Sequence, residues 1–211
     1  MFYNFFRHLF IPLLLISTTF CTQAQNNKTT YNILFIGNSL TYTNNLPLLI
    51  KTKAKYSGYS LQTETLALPN HSIADHWKKG EAQKLIKTKK FDLVIIQQGP
   101  SSQPNGRKML LDYGKKYKQI CSNNNAALAY FMVWPSLEYY HTFDGVIKNH
   151  EIAAQTNDAI LLPIGKLWKQ YFESSKKFDY YGSDNFHPSL KGSKAAANAI
   201  TKLIIDYFNK K

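Results

Sequence analysis

Arginine is almost missing from this sequence. Beyond Arg7 only Arg107 remains, although lysine is abundant enough to give a formal net charge of +13 over 211 residues. Proteins that read nucleic acids depend on guanidinium forks to grip phosphates and base edges. The lysines here are spread along helix-like faces (Lys51, Lys53, Lys55; Lys84, Lys87; Lys115, Lys116, Lys118), so the charge reads as a solvated surface with no nucleic-acid partner. Cysteine is just as scarce, with Cys21 and Cys121 alone. Once a leader carrying Cys21 is removed, a single thiol cannot close an internal disulfide, and stability must come from the core. Cys121 ends an apolar helical pattern (Met109, Leu110, Tyr113, Tyr117, Ile120) and reads as a small buried hydrophobe, not a nucleophile. Repeats and low-complexity stretches are absent. With 44% hydrophobic residues, 14% of the chain being aromatic, disorder is not expected.

A membrane-spanning run is also lacking. The apolar stretch at 9–16 follows a short start carrying Arg7 and is too short to cross a bilayer. It exits through Thr22-Gln23-Ala24, the layout of a secretory signal peptide cut after Ala24. The reading is therefore a signal peptide over 1–24 and a single domain over 25–211, exported to the periplasm or secreted. No stable membrane insertion is expected after cleavage.

In the domain, short β-rich runs (31–36, 61–67, 91–96, 127–133, 159–162) alternate with helical patterns (46–56, 72–86, 106–120, 146–155, 190–208). Several of the runs are continuously apolar, as parallel strands covered on both faces should be. The alternation predicts an α/β fold, a three-layer α/β/α sandwich on a five-stranded parallel sheet. Ligands of such sheets sit beyond the carboxyl ends of the strands, so chemistry is expected just after Ile36, Ala67, Ile96 and Val133.

Gly37-Asn38-Ser39-Leu40-Thr41 follows the first run directly and presents a serine in a strand-to-helix turn. Asp184-Asn185-Phe186-His187-Pro188-Ser189 precedes the last helix. An Asp three residues before a His can accept its Nδ1 proton and leave Nε2 free to take a proton from a serine. Together these two segments resemble the SGNH (GDSL-like) hydrolases over nearly the whole domain. The matching lines run from Ile33 to Thr41, from Leu161 to Trp168 and from Tyr181 to Ser189. The resemblance implies a flavodoxin-like fold, Ser39 as nucleophile, His187 as general base and Asp184 as its orienting acid, with no cofactor and no metal.

Two segments depart from the family pattern. The oxyanion-hole glycine expected after the second strand is Asn70, the non-glycine residue that best tolerates positive φ, so its backbone N–H is retained as a donor. The asparagine expected after the third strand aligns with Ser101, while Gln98 has the longer reach; both are candidate donors. His71 and His76 do not share a helix face, which argues against a metal site. Trp134-Pro135, followed by Tyr139 and Tyr140, reads either as a sugar-binding rim or as loop packing. The expected function is an exported serine esterase acting through an acyl-enzyme on a small-molecule or polysaccharide ester, with carbohydrate O-acetyl groups as the leading substrate. A lipid-directed esterase or lysophospholipase, and a catalytically silent glycan-binding module, are the alternatives.

Overall fold

The computed structural model describes residues 1–2 and 29–211. Cys21 and all but the first two residues of the expected signal peptide lie outside the described residues.

Five strands, β1 (Thr30–Gly37), β2 (Ser60–Ala67), β3 (Leu93–Ile96), β4 (Ala127–Phe131) and β5 (Ile160–Leu162), form one parallel sheet in the order β2-β1-β3-β4-β5. This is the expected flavodoxin-like arrangement, and the strand order reverses between β1 and β3, where a crevice opens at the carboxyl ends. β3 is shorter than the 91–96 run. Asp92, just before it, donates its backbone N–H to the Asn32 carbonyl at 2.8 Å and accepts the Asn32 N–H on its carboxylate at 2.7 Å.

The helices are α1 (Ser39–Tyr42), α2 (Leu46–Tyr56), α3 (Ile73–Lys79), α4 (Glu81–Thr88), α5 (Pro104–Asn123), α6 (Phe143–Thr156), α7 (Ile164–Ser175) and α8 (Leu190–Phe208). The single helix expected over 72–86 is two, because Gly80 at φ +79 ends α3 in the left-handed region. α7 was not among the expected helices, although Ile164, Trp168 and Phe172 mark its buried stripe at helical spacing.

Strand alternation divides the core in two. Ile33, Phe35, Leu93, Ile95, Ala129 and Phe131 face α2, α7 and α8, together with Trp168, Ile200 and Ile204. Leu34, Ile36, Val94, Ile96, Leu128 and Tyr130 face α3, α4 and α5, together with Leu110, Tyr117 and Cys121. That is the three-layer sandwich. Cys121 is wholly buried, which pushes its thiol up to about 12 and leaves it a packing residue. Trp134 is also core: it is 1% exposed, stacks on Trp168 at 3.5 Å and donates its indole N–H to the Phe186 carbonyl at 3.0 Å. Of the aromatic residues considered for a rim, Trp134 belongs to the packing, whereas Tyr139 stays 54% exposed.

His150 sits in α6 with Nδ1–H donating to the Val146 carbonyl at 2.8 Å and no partner for Nε2 among the described residues. Burial pushes its pKa down from 6.5 to about 4. The unfolded chain takes up a proton below the ordinary value while the folded chain refuses it until the lower one. The stabilisation is therefore complete above 6.5 and is lost progressively as pH falls towards about 4. Buried His76, whose pKa is also lowered by burial, acts in the same sense. The urea midpoint is expected to drop between pH 7 and pH 4.5, and His150→Gln to flatten that decline. Equal pH slopes for parent and variant would remove His150 as a cause.

Candidate active site

The turn after β1 is fixed from three sides. The parallel register sets Ile36 against Ile96, so the next residue, Gln97, lies beside the turn. Its side-chain oxygen accepts the Asn38 N–H at 2.9 Å and the Thr41 hydroxyl at 2.8 Å. Asn38 caps α1 by accepting the Leu40 N–H at 3.1 Å and donates its amide to the His71 carbonyl at 3.1 Å. From beneath, buried His76 donates Nε2–H to the Gly37 carbonyl at 2.7 Å. Gly37 is required by closeness: a Cβ there would lie 2.3 Å from Thr41 Oγ1 and 2.5 Å from Gln97 Oε1. Ser39 emerges as the first residue of α1, half-buried at the crevice.

The loop between α7 and α8 brings the second group. Tyr181 and Pro188 form an isolated antiparallel bridge, and the Gly182 N–H donates to the His187 carbonyl at 2.7 Å. Asp184 closes the loop from inside, one carboxylate oxygen accepting the N–H groups of Phe186 at 3.0 Å and His187 at 2.9 Å. Its other oxygen lies 2.5 Å from His187 Nδ1, and His187 Nε2 lies 2.8 Å from Ser39 Oγ. With the proton on Nδ1 donated to Asp184, Nε2 is left to accept from the serine hydroxyl. The His187 hydrogen bond, followed by the two backbone N–H bonds, holds the Asp184 carboxyl below the usual carboxylate range, so it stays anionic. Asn44, which the sequence reading missed, ties this loop down: at φ +55 it donates to the Pro188 carbonyl and to Ser193 Oγ, both at 3.0 Å.

Ser39, Asn70, His71, Gly99 and Phe186 are among the residues lining a cleft of about 250 Å³. Asn70 sits at φ +57, the conformation expected of a residue standing where glycine would serve. Neither its N–H nor that of Ser39 finds a partner among the described residues. The structure does not bring Gln98 and Ser101 to this cleft. Each is 3% exposed, and the Gln98 amide donates to Ser101 Oγ at 2.7 Å while that hydroxyl donates to the Gly99 carbonyl at 3.0 Å. The start of α5 holds them inward, since the Gly106 backbone packs so tightly on Ser101 that a Cβ there would lie 2.9 Å from its Cα. Ser39 and Asn70, whose backbone N–H groups are unpaired among the described residues, line the cleft, and Gln98 and Ser101 do not. His71 lies at the cleft wall with Nδ1 on the Pro69 carbonyl at 2.8 Å, and His76 is committed beneath the turn.

No family model matches the sequence, and no curated protein matches it. Among solved structures, the chain is similar to a candidate SGNH hydrolase from Slackia heliotrinireducens, with a TM-score of 0.70 at 18% identity, covering 83% of this chain and 100% of that one. It is similar to a lipase/acylhydrolase from Enterococcus faecalis, with a TM-score of 0.64 at 15% identity over 82% of this chain and 95% of that one. An acetyl xylan esterase gives a TM-score of 0.66 at 14% identity over 81% of this chain and 98% of that one.

The tightness of the turn generates a direct expectation. Gly37→Ala forces Thr41 and Gln97 apart and displaces Ser39, so labelling of the serine by a fluorophosphonate is expected to slow by roughly 10²-fold in a protein that still folds. Circular dichroism reports the fold and intact-mass spectrometry the labelling. A parent-like rate would mean that the turn absorbs the methyl group.

Proposed function

We propose that this chain, which has the fold of the SGNH hydrolases, is a serine ester hydrolase in which Ser39, His187 and Asp184 form the catalytic triad. The observation that carries this reading is the unbroken sequence of contacts, 2.8 Å from Ser39 Oγ to His187 Nε2 and 2.5 Å from His187 Nδ1 to Asp184. In the reaction, Ser39 Oγ attacks the ester carbonyl carbon and its proton passes to His187 Nε2. The charge that builds on the carbonyl oxygen is met by the N–H groups of Ser39 and Asn70. Collapse breaks the bond to the alcohol, which leaves with the proton from His187. Water, deprotonated by the same imidazole, then releases the acid and restores the serine. Asp184 remains ionised and stabilises the imidazolium.

A cleft of about 250 Å³ at Ser39 supports a short acyl group such as acetyl. The fold shared with an acetyl xylan esterase supports a carbohydrate as the alcohol. The protein works outside the cytoplasm in this reading, after removal of residues 1–24, so material recovered from cells is expected to begin at Gln25, which the intact mass and the mass of the amino-terminal peptide report.

The test of activity is hydrolysis of p-nitrophenyl esters. The acetate is expected to be turned over and the octanoate poorly, with Ser39→Ala lowering kcat on the acetate by roughly 10⁴-fold. Equal rates for parent and variant would reduce the signal to background chemistry and return the fold to a binding role.

A further inference from the structure

We infer that the alcohol side of the substrate is an anionic polysaccharide, held along a groove that leaves the catalytic cleft past Phe186 and ends at Arg107. This rests on the esterase reading and adds the substrate class. Three hollows adjoin one another through shared walls. Phe186 lines both the cleft at Ser39 and a second hollow of about 490 Å³ between the loops that follow β3 and β4. Ser102 lines both that hollow and a third, of about 600 Å³, along the facing sides of α5 and α6.

The chemistry changes along this path. The second hollow carries Pro135 and the exposed ring of Tyr139, a flat apolar face with a polar tip suited to a sugar ring. The third is cationic, with Arg107, Lys108 and Lys148 exposed on its walls. Asp112 also lines it, but that carboxylate is bound to Lys108 at 2.6 Å. Among the described residues, no carboxylate lies within 4.0 Å of Arg107 or Lys148.

Arg107 is the most telling of these residues. It is the only arginine from residue 25 onward in a chain that otherwise uses lysine for positive charge. A solvated lysine surface has no need of a guanidinium. Its planar fork is the side chain that grips a carboxylate or a sulfate with two parallel hydrogen bonds. A neutral glycan would gain little from these unpaired cations, whereas a chain bearing uronate carboxylates or sulfate esters is drawn to them. A separate lysine-lined hollow, at Lys51 and Lys55, shares no wall residue with the cleft and serves as the control.

The experiment measures acetate release from three O-acetylated oligosaccharides of equal length: a uronate backbone, a sulfated backbone and a neutral xylo-oligosaccharide. An anionic substrate is expected to exceed the neutral one in kcat/KM by roughly tenfold or more at low salt, and to lose that advantage in 0.5 M NaCl. Which anion wins, uronate or sulfate, identifies the source of the charge. The Arg107→Glu/Lys148→Glu double variant is expected to lose the preference through KM with kcat held, while Lys55→Glu keeps it. Equal kcat/KM on all three substrates, or a preference that survives the charge reversal, would overturn the proposal. Turnover of p-nitrophenyl acetate tests the esterase reading separately. The groove is also tested without turnover, by binding of the de-esterified uronate and sulfated oligosaccharides to Ser39→Ala protein. Binding of either one, abolished by the charge reversal, supports the groove even if catalysis fails; no binding to either refutes it.

Discussion

The side-chain oxygen of Gln97 accepts two hydrogen bonds, from the Asn38 N–H and the Thr41 hydroxyl, and so locks the end of β3 to the turn that carries Ser39. Both donors belong to one short turn, and the acceptor is buried, where an amide oxygen left unpaired would cost about 1–3 kcal/mol. The contact exists only because the β1–β3 ladder pairs Ile36 with Ile96. A register slip would turn Gln97 to the other face of the sheet and leave the turn unsupported. The glycine at position 37 follows from the same closeness, since no side chain fits between Thr41 and Gln97.

The His187 loop has a different kind of anchor. It is short of regular structure, so its backbone groups are satisfied one at a time by the surrounding frame. The Trp134 indole takes the Phe186 carbonyl, the Leu137 N–H takes the Asn185 carbonyl, and Asn44 takes the Pro188 carbonyl. The Tyr181 hydroxyl donates in turn to the Pro135 carbonyl at 2.8 Å. These contacts come from two distant parts of the chain, the 134–137 loop after β4 and Asn44 after α1, and converge on the segment that holds Asp184 and His187. Trp134, stacked on Trp168, is therefore a support for the imidazole and leaves the display of an aromatic surface to Tyr139.

The two carboxamides after β3 divide their labour by one residue. Gln97 points to the turn and fixes it, while Gln98 alternates to the opposite side and is absorbed by Ser101 beneath α5. The space at the cleft is left to backbone N–H groups and to Asn70, whose positive φ the amide side chain makes tolerable. The same loop continues through Ser102 to the cationic hollow at Arg107.

The sequence by itself determined the sandwich and the pairing of Asp184 with His187. Strand and helix periods are local, and an Asp three residues before a His can meet it within one loop. It also carries the stripe of Ile164, Trp168 and Phe172 at helical spacing, a local signal for α7. Tertiary structure alone decided that Ser39 and His187, 148 residues apart, meet at 2.8 Å, and that Gln97 supports them. It also decided that Gln98 and Ser101 face inward and that Trp134 is core. Each of these depends on which side of a strand end a residue falls and on what packs over it. Strand register and the approach of distant helices set both, and neither is written in the spacing of neighbouring residues.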